Sequence, residues 1–201
     1  MFEKIWDKFL TIFGKIKIFK YPMFIIYEPN GYKVTGEETE KILNLIKDGD
    51  ILVRGYYDYL DGKFIKGFFS HAGFYYENNI IIHAIAEGVQ KDHIIDFCRC
   101  DYLAVLRFKP GLINDQDIKA AKEIAISLLG DEYDFDFSGN NNQYYCTEAV
   151  MKIWEKKLNI TPTKVKELFG LIKRDIIFPD QLYNCDALDK ILITSEVPIW
   201  K

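Results

Sequence analysis

What this chain has little of narrows its class before any motif is read. Four cysteines, at 98, 100, 146 and 185, are too few for a disulfide framework in 201 residues. They also lack the paired spacing of a zinc ribbon or knuckle. Reduced thiols and a cytoplasmic setting are the simpler reading, and no metal or organic cofactor is implied. Charge of one sign is scarce as well. Lys and Arg number 26 against 30 Asp and Glu, a net −4 with the signs intermixed, so there is no electrostatic footprint for nucleic acid. The first twenty residues, "MFEKIWDKFLTIFGKIKIFK", have no apolar run of signal-peptide length, because a lysine or acid interrupts them every few positions. No small-residue cleavage site follows, so they are not a secretory signal. Only three histidines exist, His71, His83 and His93, which restricts any imidazole chemistry to a short roster.

What is present is the composition of an ordinary globular domain, 49% hydrophobic and 28% charged, with no repeat and no flexible linker. Phe2, Ile5, Trp6, Phe9, Ile12, Phe13 and Ile16 recur at helical spacing, which predicts an amphipathic helix within residues 1–20. Its apolar face docks on its own domain or a partner, or rests on a membrane surface. Residues 1–33 are read as this helix and an extended segment, and residues 34–201 as one domain.

Thr35 and Glu38 fit a capping box, so a helix should run from there to about Lys47. "ILVR" (51–54) reads as a buried strand, and 55–69 as an exposed aromatic loop. From His71 onward "HAGFYYE", "IIIHAIA", "VQKDHII" and "YLAVLRF" predict a short antiparallel sheet. Asp115 should cap the helix "QDIKAAKEIAISLL", with Gly130 as its stop. A further helix should span Thr147 to Leu158, and others should follow Thr161-Pro162 and Phe178-Pro179.

In "QYYCTEAV" this places Cys146 at a helix N-terminus, where free N–H groups and the macrodipole favour thiolate over thiol. Packing is the alternative, since free cysteine is among the most buried residue types. Papain-like chemistry needs a histidine within reach of the sulfur and a third polar group to orient it.

"GDILVR", "SHAGFYY", "IIHAIAEGV", "YDFDF", "YYCTEAV" and "FPDQL" follow one another from about Gly49 to about Leu188. In that order they resemble the circularly permuted branch of the NlpC-type papain-like superfamily. That branch includes the YiiX-like hydrolases and, more distantly, the lecithin:retinol acyltransferase group. The resemblance implies an α+β fold, a short antiparallel sheet packed by helices, with Cys146 as nucleophile and His71 as base. It implies an amide or ester carbonyl attacked through a Cys146 thioester, on a peptide, peptidoglycan fragment or acyl-lipid substrate. His83 falls at the third position, and Glu87 is the reserve. The Cys146 N–H would form part of an oxyanion hole, with Tyr145 or Tyr144 as a further donor or as packing. A membrane-associated acyltransferase or lipid amidase of the same fold, and an inactive binding module, are the rival readings.

Strand parity sets a condition on His83. A two-residue Asn78-Asn79 turn with an undisturbed ladder would put His71 and His83 on opposite faces, so a shared site requires a bulge or an odd loop. His93 and the aspartates of "YDFDF" are read as solvated. Cys98 and Cys100, two apart on an expected strand, are read as packing.

Overall fold

Nearly every residue of "YLAVLRF" is buried, because the strand it forms has a packed layer on each side. The structure, a computed structural model, describes residues 16–18, 25–27, 32–56, 67–137, 139, 142–155, 157–167 and 172–194. In chain order the strands are β1 (Ile16–Ile18), β2 (Ile25–Tyr27), β3 (Ile51–Gly55), β4 (His71–Glu77), β5 (Ile80–Ile85), β6 (Gly88–His93), β7 (Tyr102–Phe108), β8 (Thr163–Glu167), β9 (Ile172–Ile176) and β10 (Leu188–Ile193). The helices are α1 (Gly36–Leu45), α2 (Ile94–Phe97), α3 (Asp115–Ser127), α4 (Cys146–Ile153) and α5 (Pro179–Tyr183).

The main sheet is antiparallel, in the order β10-β7-β3-β4-β5-β6, and β1-β2 and β8-β9 form separate hairpins. Side-chain alternation splits its core in two. Ile51, Val53, Ala72, Phe74, Ile82, Ala84, Ala104 and Leu106 share one face with Ala121 and Ala125 of α3, Ala149, Val150 and Ile153 of α4, and Leu182 of α5. Leu52, Ile81, Leu103 and Val105 share the other with Ile42 of α1 and Ile94 and Phe97 of α2. Trp154, at the end of α4, fills the first layer between Phe74 and Phe108, with ring centroids 5.9 and 4.7 Å away.

Most expected elements form where local chemistry specifies them. Thr35 and Glu38 make the reciprocal capping box of α1, at 3.2 and 2.8 Å. Elsewhere the structure corrects the expectation. Asn114, not Asp115, caps α3, because its Oδ1 accepts from both Gln116 and Asp117 amides. Helix α4 stops at Ile153 rather than Leu158. The segment after Thr161-Pro162 is strand β8, whose alternating Thr163 and Val165 suit a hairpin with β9. Cys98 and Cys100 lie in the turn leaving α2, not on a strand; both are buried, as packing cysteines are. At the N-terminal end, Ile16 is in strand β1 rather than a helix. The rest of the expected amphipathic helix lies outside the described residues. Among those described, no helix is long and apolar enough to cross a membrane.

One buried ion pair fixes the start of β3 against β7. Asp50, 1% exposed, accepts from Arg107 Nε and Nη2 at 2.7 Å each and from the Lys47 amide at 2.8 Å. Burial pushes the Asp50 carboxyl upward, while Arg107 and the amide pull against it. Removing one member of such a pair leaves the other uncompensated. Asp50→Ala should therefore lower the unfolding free energy by about 3 kcal/mol, the lower end of the usual range because Arg107 is partly exposed. Urea denaturation checks this, and an unchanged midpoint would show that the pair does not hold the sheet.

Candidate active site

The site begins with a miscount between two strands. Asn78 and Asn79, with φ of 48° and 63°, form the tight turn expected between β4 and β5. The pairs run Glu77↔Ile80, then Tyr75↔Ile81 and Phe74↔Ile82, so Tyr76 is an extra residue in β4. That bulge shifts the parity of β4 by one. His71 and His83 consequently face the same side, the side of Phe97, which lies 5.6 and 5.5 Å from their rings. The parity condition is met by the bulge.

The imidazoles then connect. His71 Nε2 lies 2.8 Å from His83 Nδ1, and His83 Nε2 lies 2.9 Å from Asp92 Oδ2. The hydrogen bond from His83 holds the Asp92 carboxyl below its ordinary range, so it is a carboxylate that can only accept. His83 must donate to it from Nε2, and burial keeps this ring neutral. Its Nδ1 is therefore an acceptor, and His71 donates to it from Nε2. The unshared lone pair of His71 is left on Nδ1. Burial, then the charge of Arg54 and then His83 hold His71 well below the ordinary histidine value, so its ring is neutral.

Cys146 opens α4, which packs on the other face of the sheet against β4 and β5. Along β4 the Tyr75 N–H points to Asp50 O on the β3 side, so by alternation the Ala72 N–H points toward β5. Pairing with β5 begins only at Phe74. The Ala72 amide, one residue past His71, is directed at the Cys146 sulfur, as are the amides of Thr147 and of Cys146 itself. The thiol and the His71 ring are not hydrogen-bonded to each other; the Ala72 amide joins their surroundings. Cys146 is 7% exposed. Burial pushes its pKa up and outweighs the amides and Arg54, which favour the thiolate. That reverses the expectation of a resting thiolate at the helix start.

Neighbouring residues hold these pieces in place. Asp180, from "FPDQL", accepts the Phe68 and Phe69 amides at 2.7 and 2.9 Å and so pins the chain entering β4 at His71. Gly67, at φ 128°, lies so close that a Cβ there would meet the Asp180 carboxylate at 2.1 Å. Ahead of Cys146, Tyr144 N donates to Glu132 O at 3.0 Å and Gln143 Nε2 to Glu132 Oε2 at 2.9 Å. Asp134 of "YDFDF" is buried and accepts from the Asp136 and Gly139 amides, so it shapes this loop instead of being solvated. Glu148, two residues past Cys146, is pushed up to about 7 by burial and by nearby Asp134.

The remaining candidates separate cleanly. Tyr145 is buried with its hydroxyl accepting from the Ile177 amide at 3.1 Å, and Tyr144 packs against the core. Glu87, the reserve for the third position, is exposed in the turn between β5 and β6 and is outside the His71–His83–Asp92 chain. His93 is exposed and caps α2 by accepting from the Ile95 amide. Sequence reasoning missed Asp92. The signal was present: a two-residue Ala86-Glu87 turn pairs His83 with Gln90, and Asp92 is two further along on the same face.

The family model described as permuted papain-like amidase enzyme, YaeF/YiiX, C92 family, matches residues 45–192. The crystal structure of metalloprotein yiiX from Escherichia coli O157:H7 superposes with a TM-score of 0.62 at 18% identity, over 77% of this chain and 99% of that one. Among the described residues here, no three His, Cys, Asp or Glu side chains converge to hold a metal ion. No curated protein matches the chain.

Two neutral imidazoles, His83 buried and His71 half-buried, make stability depend on pH. Folded His71 and His83 titrate below the 6.5 of the free side chain. Between the folded and unfolded values the unfolded chain binds more protons. The contribution is complete above about pH 6.5 and is lost as pH falls toward the folded values. The urea midpoint should therefore drop between neutral and mildly acidic pH, and His83→Gln should flatten the slope. A midpoint constant across that window would place the rings in contact with water.

Proposed function

Since the chain belongs to the permuted papain-like amidases of the YaeF/YiiX, C92 family, we propose that it cleaves an amide of a peptide or acyl-amine through a thioester on Cys146, with His71 as general base. The observation that carries this is the Asp92–His83–His71 chain, which leaves the lone pair of His71 on Nδ1. The thiol and imidazole start neutral. As Sγ attacks the carbonyl carbon, its proton passes to His71 Nδ1, and the imidazolium is stabilised through His83 by the Asp92 carboxylate. The oxyanion develops near the Cys146 N–H, at the positive end of α4. His71 returns the proton to the leaving nitrogen as the C–N bond breaks, giving the thioester. Water then attacks the acyl carbon, losing a proton to His71, which protonates the departing thiolate and releases the acid.

Mass spectrometry after brief exposure to an activated ester such as 4-nitrophenyl acetate tests the nucleophile directly. An acetyl adduct should appear on Cys146, be removed by hydroxylamine, and be missing in Cys146→Ala. His71→Ala should slow acylation roughly 10²–10⁴-fold, the usual range for a lost general base. Asp92→Asn, acting through His83, should cost less. Acylation confined to other residues, or indifferent to His71, would remove the amidase mechanism.

A further inference from the structure

Among the described residues, one cation without a carboxylate partner stands beside His71. Arg54 of β3 is paired across the sheet with His71, and its guanidinium stacks 4.3 Å above the Phe97 ring that also meets both imidazoles. Only one corner of the fork is used: Nη1 donates to Phe97 O at 3.0 Å and reaches Asp96 O at 3.5 Å. Nε is buried with no acceptor. Among the described residues no carboxylate forms an ion pair with Arg54; the Asp96 side chain is turned to Arg99, 3.8 Å away, and Asp92 is engaged by His83.

A half-buried guanidinium with an unused edge is costly unless something supplies acceptors. The planar guanidinium can donate two parallel bonds to a carboxylate, a geometry that lysine cannot reproduce. Its position is also specific. Arg54 lies across from His71 in the ladder and its guanidinium shares the Phe97 ring with both imidazoles, so an anion bound there lies beside His71. The catalytic chain already holds its own carboxylate in Asp92, so Arg54 is not needed to complete it.

We propose that Arg54 is the specificity residue of the site, receiving a free carboxylate carried by the substrate next to the scissile amide. The substrates are then N-acyl amino acids, or peptides cleaved beside a free carboxylate. This rests on Cys146 being the nucleophile, and the test separates the two ideas by comparing reagents that differ only in charge.

Iodoacetate and iodoacetamide alkylate the same sulfur, and at neutral pH His71 is uncharged and cannot attract the anion. Iodoacetate should be the faster reagent at Cys146. Arg54→Gln should lower the iodoacetate-to-iodoacetamide rate ratio roughly tenfold, the effect of one close charge, and Arg54→Lys should keep part of it. Equal slowing of both reagents would make Arg54 a general influence on the thiol and overturn the proposal while leaving the nucleophile intact. Labelling of Cys146 by neither reagent would remove the nucleophile and the proposal with it. Should Arg54→Gln fail to fold by circular dichroism, the unaltered protein decides. N-acetylglycine, but not N-acetylglycinamide, should protect Cys146 from iodoacetamide, and equal protection by the two, or none, would overturn the carboxylate site.

Discussion

One additional residue in β4 determines which side of the sheet the relay occupies. Without Tyr76 between Tyr75 and Glu77, the Asn78-Asn79 turn would put His83 on the face of α3 and α4, away from His71. With it, the two rings and Arg54 gather over Phe97, and Asp92 of β6 falls into line behind His83. A bulge also increases local twist, and here it lies two residues after Phe74, where β4 begins to pair with β5. Ahead of that pairing, the Ala72 amide is left to the Cys146 sulfur. A single interruption of the ladder thus serves both halves of the site, though they sit on helix and strand from opposite layers.

Holding that arrangement is a matter of distant contacts. The chain entering His71 is fixed by Asp180, 112 residues from Phe68, and the chain entering Cys146 is closed by Glu132 against Gln143 and Tyr144. Thr147 donates to Ile177 O, and Tyr145 accepts from the Ile177 amide, so the first turn of α4 and the approach to α5 are tied together. The short motifs spaced along the chain are in this sense parts of one clamp. "GDILVR" supplies Asp50 and Arg54, and "FPDQL" supplies Asp180.

Those features explain what was legible in the sequence. Capping boxes, β-branched runs and the Asn-Asn turn are local signals, so α1, β3, β4, β5 and β7 could be read from the residues alone. Pairing His71 with Cys146 drew on the order of the motifs and not on spacing. A bulge has no comparable local mark, since "FYYE" reads equally well as an unbroken strand, and therefore the face of His83 was open until the ladder was seen. Asp92 was overlooked because a strand of mixed polarity, "GVQKDH", looks solvated until its neighbour is known. The β8 strand was lost to a proline rule that fits helix starts and strand entries alike.

Burial and helix electrostatics oppose each other at Cys146, and their balance shapes the chemistry. The start of α4 offers the sulfur the amides of Cys146 and Thr147, the Ala72 amide adds a third donor, and Arg54 contributes charge. All four favour the thiolate, yet exclusion from water outweighs them. The same exclusion, with Arg54, holds His71 neutral, so proton transfer between the two would create two charges in a dry site. In the proposed attack, that separation becomes favourable as the sulfur's electrons are drawn into a bond with a carbonyl carbon and the imidazolium is backed by Asp92 through His83. The donors around the sulfur are thus better matched to the charge that develops during attack than to a resting thiolate, as complementarity to a transition state requires.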